Sequence, residues 1–169
     1  MAIPLAGQLV RASHYPKTKV IKKNAQESVT SSTTFQDDDD FVVTLEASRL
    51  YLVRLLLAAA GATAGDIKLD WTVTGGVAQL TTRHCRGMAT AQTNATDTTV
   101  RTVTYDLTTA VAYGVETTNG SIRETFLVET IVAAASGTLT LRWAQFVSNA
   151  TATTVSANSF MLIDELEEI

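Results

Sequence analysis

Asp37, Asp38, Asp39 and Asp40 form the densest run of metal-ligating oxygens in the chain. Such carboxylates suit a hard cation such as calcium, but a dedicated calcium loop places its ligands at alternate positions around a turn glycine. Neither feature is present, and the run predicts a solvated acidic turn that ends one segment and keeps a sheet edge from pairing with a foreign strand. His84 and Cys85 are the other reactive pair. Neighbours on a strand point to opposite faces, so these two cannot serve one nucleophilic site. His14 is the only other histidine and Cys85 the only cysteine, which leaves no zinc set, triad or internal disulfide to assemble. Glu124 and Glu129, the nearest approach to a carboxylate pair in apolar surroundings, have opposite strand parity. These residues assign no catalytic group, no cofactor site and no metal ligand, and the chain reads as a non-enzymatic protein.

Three asparagines, Asn94, Asn119 and Asn149, begin N-glycosylation patterns. Without a secretory signal they read as a by-product of a threonine-rich composition. Trp71 and Trp143 lie among leucines on alternating runs, which predicts core positions and not sugar-stacking platforms. One charged feature remains. Arg11, Lys17, Lys19, Lys22 and Lys23 make the N-terminal segment basic, and such a segment offers positive charge to an acidic surface.

The elements that position these groups are strands. About one residue in six is threonine, and valine and leucine are abundant, a composition suited to sheets with one wet face. Hydrophobic residues make up 46% of the chain and charged ones 18%, which excludes a disordered tail. A length of 169 residues supports one core. The net charge of −4 and pI near 5.1 argue against nucleic acid as a partner. The longest apolar run, residues 50–60, is broken by Arg54 and falls short of the roughly 20 residues that span a bilayer. No membrane partner is expected, and with no signal peptide the product is expected to be made in a cytoplasm.

Both prolines, Pro4 and Pro16, lie ahead of the strand-forming region, where they interrupt no ladder. Residues 1–36 are expected to form an extended N-terminal arm and residues 37–169 a β-sandwich domain. Within the latter, residues 41–45 and 49–57 read as strands, although alanine and leucine at 55–60 also suit a helix. Residues 66–73 place Ile67, Leu69, Trp71 and Val73 on one face. Residues 81–97 show no element beyond a loop or edge strand. Residues 100–103, 111–115, 121–132, 138–145 and 159–166 complete the strand set, with Leu139, Leu141 and Trp143 pointing one way. Strands of this number and spacing imply a two-sheet sandwich or barrel.

The C-terminal third carries a recognisable string: Gly137-Thr138-Leu139-Thr140-Leu141-Arg142-Trp143-Ala144-Gln145, then Ser148-Asn149-Ala150-Thr151-Ala152-Thr153-Thr154-Val155, then Asn158-Ser159-Phe160-Met161. It resembles a group of virion proteins of actinobacterial phages that write a Leu-x-Leu-x-Trp-Ala-Gln strand, a threonine-rich loop and a Gly-Ser-aromatic strand. Asn158 stands where the glycine usually does. Ala6 to Ala12 and the segment from Gly61 to Trp71 are similar more loosely. The resemblance implies an all-β, jelly-roll-like antiparallel β-sandwich of the tumour-necrosis-factor or C1q type, a homotrimer displayed on the virion. The resemblance does not separate head from tail; joined to the basic N-terminal arm, it leads to the expectation of a structural role as a capsid decoration protein that binds the major capsid protein or other virion proteins through that arm, with Arg11, Lys17, Lys19, Lys22 and Lys23 as anchoring residues. The alternative within the same resemblance is a tail-tip or tail-fibre component whose loops bind the host surface.

Overall fold

Alternation at period two organises the chain, and β4 (Arg49–Ala60) shows it most fully: Tyr51, Val53, Leu55, Leu57 and Ala59 are all buried while the residues between them are not. The computed structural model describes residues 17–75, 77–79, 83–90, 100–118, 120–130 and 136–168. Along the described chain the other strands are β1 (Thr18–Lys22), β2 (Glu27–Val29), β3 (Gln36–Leu45), β5 (Ile67–Thr74), β6 (Val77–Gln79) and β7 (Arg83–Met88). They continue with β8 (Val100–Tyr105), β9 (Val111–Tyr113), β10 (Gly120–Thr130), β11 (Gly137–Gln145), β12 (Thr153–Val155) and β13 (Phe160–Glu168). No helix among the described residues is long and apolar enough to cross a membrane.

Two antiparallel sheets face each other. One runs β1-β13-β4-β10-β7-β8, with β12, β2 and β6 attached at its margins; the other runs β3-β11-β5-β9. In the first sheet the opening strand lies beside the closing one, and in the second β3 lies beside β11. The order is that of a long antiparallel hairpin rolled up on itself, which is the jelly roll. The hairpin of β7 and β8 widens the first sheet beyond β10. Between the sheets Trp71, Trp143, Phe41, Leu57, Leu69 and Leu141 are fully buried, and Trp71 meets Phe126 edge to face at 5.0 Å between ring centroids. Each such side chain contributes about 1.5–3 kcal/mol through burial. Ile67, Leu69 and Trp71 share the inner face of β5, and Leu139, Leu141 and Trp143 that of β11, as the alternation predicts.

Two segments differ from the expectation. The segment read as an arm is, from residue 17 onward, woven into the sandwich: β1 pairs along its whole length with β13, and β2 pairs with β12. The sequence conceals this because the inward positions of this stretch include Lys23, a charged residue where an apolar one would signal burial. Residues 1–16, with Arg11, lie outside the described residues. The acidic run is likewise not a turn, since all four aspartates lie within β3. In the weakly patterned stretch at 81–97, residues 83–88 form β7, and residues 81, 82 and 91–97 lie outside the described residues.

Gly87 in β7 permits a close approach between layers, because a Cβ there would sit 2.7 Å from Cδ1 of Tyr113. Gly75, at φ +68°, turns the chain out of β5 against the carbonyl of Ser136.

Candidate functional site

The reactive side chains gather in two buried clusters and on one exposed face. The first cluster explains the acidic run. The Lys23 side chain is fully buried, and its Nζ donates to Asp38 Oδ2 at 2.8 Å and to Glu27, with Asp40 at 3.7 Å. Asp38, itself fully buried, also accepts the backbone N–H groups of Asp40 and Phe41 at 3.1 and 3.0 Å. Oxygens of Glu27, Asp38 and Asp40 lie within 4.8 Å of one another, close enough to ligate a metal, and the ammonium of Lys23 stands among them as the cation. Burial works to lower the lysine pKa, but the hydrogen bonds and charges of Asp38 and Glu27 outweigh it and hold the ammonium above its ordinary value. For Asp40, the donors Asn24 and Lys23 overcome burial and hold the carboxyl below its usual range. Lys23 therefore cannot reach a partner, and its expected anchoring role is corrected to a structural one.

The second cluster is centred on Glu124, which is 1% exposed and points inward from β10 between Ile122 and Phe126. Its carboxylate accepts from Trp71 Nε1 and from the Tyr113 hydroxyl, both at 2.7 Å, and faces Arg83 Nε at 3.4 Å. Arg83, fully buried, also donates to the carbonyls of Leu107 and Thr109 at 2.6 and 2.8 Å, tying β7 to the turn after β8. Cys85 packs into the same group. Burial and the Glu124 charge push its thiol up and push the Tyr113 phenol far above its ordinary value, while Glu124 raises Arg83 against the effect of burial. A thiol so placed is a poor nucleophile. His84, next in sequence, is exposed on the opposite face, as strand parity requires. The sequence does carry a signal for this cluster: Arg83 and Cys85 alternate, and Glu124 occupies the inward parity of an apolar strand.

The residues that carry the phage resemblance also do structural work. Gln145, fully buried at the end of β11, donates to the carbonyl of Thr151 at 2.9 Å. Its Oε1 accepts from the backbone of Asn149 at 3.0 Å and of Ser32 at 3.3 Å. One side chain thus folds the threonine-rich loop and staples the N-terminal segment to it. Both tryptophans are fully buried and are not platforms for sugars. Asn149 accepts from the Thr151 backbone at 2.8 Å, whereas Asn94 and Asn119 lie outside the described residues.

Of the basic residues, Lys17, Lys19 and Lys22 are exposed, and Lys17 lies 3.7 Å from Glu165. A cleft of about 220 Å³ opens between β1 and β3, where Lys17 and Lys19 face Leu45, Glu46 and Tyr51. The outer face of the larger sheet carries a band of cations and apolar groups. Successive cross-strand partners there are Lys22, Phe160, Leu56, Arg123 and Arg86. On this face Arg54 is paired with Asp164.

No family model matches the chain, and no curated protein matches it in sequence. Solved structures resemble it in shape. The tripod from the baseplate of bacteriophage Tuc2009 is similar at a TM-score of 0.48 and 11% identity over 99% of this chain and 74% of that one. The structure of infectious bursal disease virus Gt strain is similar at a TM-score of 0.26 and 13% identity, over 98% of this chain and 45% of that one. The VP2 subviral particle of the same virus gives 0.25 and 14%, over 100% and 46%. This chain spans less than half the length of those two viral chains.

Proposed function

We propose that this chain is a non-enzymatic structural protein of a phage virion, a trimeric capsid decoration protein that binds the shell through its N-terminal segment. The observation that carries the reading is where the phage-like string falls in the fold. The string becomes β11, the loop tied by Gln145, β12 and the start of β13, which closes the jelly roll against β1. The string therefore encodes a scaffold, and the buried ionic groups within that scaffold stabilise it without meeting solvent. Arg11, Lys17, Lys19 and Lys22 are the anchoring residues on this reading, offering charge to an acidic shell.

The experiment is cryo-electron microscopy of intact particles with this chain located in the density, paired with binding of purified chain to shells that lack it. Trimeric knobs on the capsid lattice are expected, and Lys17→Glu with Lys19→Glu and Lys22→Glu is expected to reduce shell binding at least tenfold. Density for this chain confined to the tail tip would overturn the decoration role. One observation favours that second reading: Phe146 and Val147, 45% and 52% exposed, stand at the head of the loop that leads to Asn149. Exposed apolar groups on a loop tip suit contact with a host surface.

A further inference from the structure

The outer face of the larger sheet departs from what a solvated sheet requires. An antiparallel sheet with one wet face should alternate apolar and polar residues, yet β4 directs Leu50, Leu52 and Leu56 outward and β13 adds Phe160 and Leu162. Within this apolar field Arg123 of β10 and Arg86 of β7 are direct cross-strand partners, and both are exposed. Like charges placed directly opposite destabilise a sheet. Arg54 on the same face has Asp164, but among the described residues neither Arg86 nor Arg123 has a carboxylate partner. The isolated fold thus bears a repulsion that an anionic partner would relieve. Arginine set among apolar and aromatic side chains is also the make-up of protein interfaces.

The matching acid is on the same chain. At the opposite margin of the sandwich β3 is the edge strand of the smaller sheet, and Asp37 and Asp39 are exposed on it; Asp39 makes no ion pair among the described residues, and Asp37 lies across the strand from Arg142, whose guanidinium is bonded to Asp70. Val42 on the same strand is 45% exposed. The other two aspartates of the run are occupied by Lys23 and Asn24, so the run divides into a bonded half that builds the fold, with Asp38 buried and Asp40 half-buried, and an exposed half that does not. Two cations without a carboxylate among the described residues, on a partly apolar face, thus complement two exposed carboxylates that make no ion pair among them, beside an exposed valine.

We propose that the outer face around Arg86 and Arg123 receives the β3 edge, with Asp37 and Asp39, of a second copy of this chain. A symmetric contact would set arginine against arginine, so the complementarity selects a head-to-tail contact, which closes into a ring when its rotation permits. The proposal supplies the contact surface for the trimer of the preceding reading and rests on that reading only for the number of copies.

The test is sedimentation of the full chain with its Arg86→Glu variant and a swap variant carrying Arg86→Glu, Arg123→Glu, Asp37→Lys and Asp39→Lys. Arg86→Glu turns the like-charged pair into an opposite-charged one, so the fold is retained while the face loses its cationic character. Its melting temperature is expected to equal or exceed that of the wild type, with self-association weakened at least tenfold. The swap is expected to restore association. A wild-type chain that stays monomeric at about 100 μM, near the weak end of useful self-affinity, would overturn the proposal, as would association unchanged in Arg86→Glu. A ring in solution for a chain absent from particles would refute the virion reading and leave this surface standing; a monomeric chain bound to particles would do the reverse.

Discussion

Replacing Lys23 with methionine removes the one cation from a site that was built around it. The chain would keep Asp38, fully buried and still held by the backbone N–H groups of Asp40 and Phe41, with Glu27 and Asp40 beside it. Breaking a buried pair by deleting one partner costs about 3–5 kcal/mol, because the remaining charge is stranded. For a domain of this size each kcal/mol shifts the melting temperature by about 2–4 °C, so a fall of about 6–20 °C is expected. The assay is urea unfolding with thermal melts across pH. The raised pKa of Lys23 makes its contribution complete below its unfolded value, about pH 10.4, and lost as pH rises through the folded one. The depressed Asp40 contributes above its unfolded value, about pH 3.9, and that contribution is lost as pH falls through the lower folded one. Calcium at millimolar concentration should stabilise the variant and leave the wild type unchanged, since the three carboxylates then lack their internal cation. A deficit under about 1 kcal/mol at neutral pH, the scale of an exposed ion pair, would refute the reasoning.

Other outcomes follow from the second cluster and the loop. Glu124→Gln should strand the Arg83 guanidinium and destabilise by about 3–5 kcal/mol, while the double variant with Arg83→Met should lose less than the two single losses combined, as measured in a double-mutant cycle. Cys85 should resist a disulfide reagent until the chain unfolds, and rapid modification of the native protein would contradict its burial beside Glu124. Because Cys85 and Tyr113 are both raised, stability should decline as pH climbs past about 8.5 and then about 10, their unfolded values, and phenolate absorbance from Tyr113 should appear only with unfolding. Gln145→Leu should cost about 1–3 kcal/mol through the unpaired backbone groups of Asn149 and Thr151, with faster hydrogen exchange in residues 146–152.

Much of the sandwich was legible because strand parity is local. The alternations of 67–73 and 139–143 named their buried faces, and the apolar run at 50–60 proved to be a strand despite its helix-forming alanines. That run also announced something the alternation rule alone would miss: a strand apolar on both faces has something to cover on each. The first strand was not legible, since only Ile21 of its five residues packs against the core, and the buried position that follows it is Lys23, a lysine that signals burial only when its carboxylates are known to lie around it.

What the sequence determined alone was the kind of element, the inner face of most strands, the burial of both tryptophans and the impossibility of His84 and Cys85 acting together. Each follows from a two-residue period that needs no knowledge of distant chain. Tertiary structure decided the rest. It brought Lys23 to Asp38 across 15 positions and Glu124 to Trp71 across 53. It divided four adjacent aspartates into two held in bonds and two facing water, and it placed Arg86 opposite Arg123. Charges acquire their partners from strand order and register, and those are set by how the whole sheet rolls up, which no local pattern encodes.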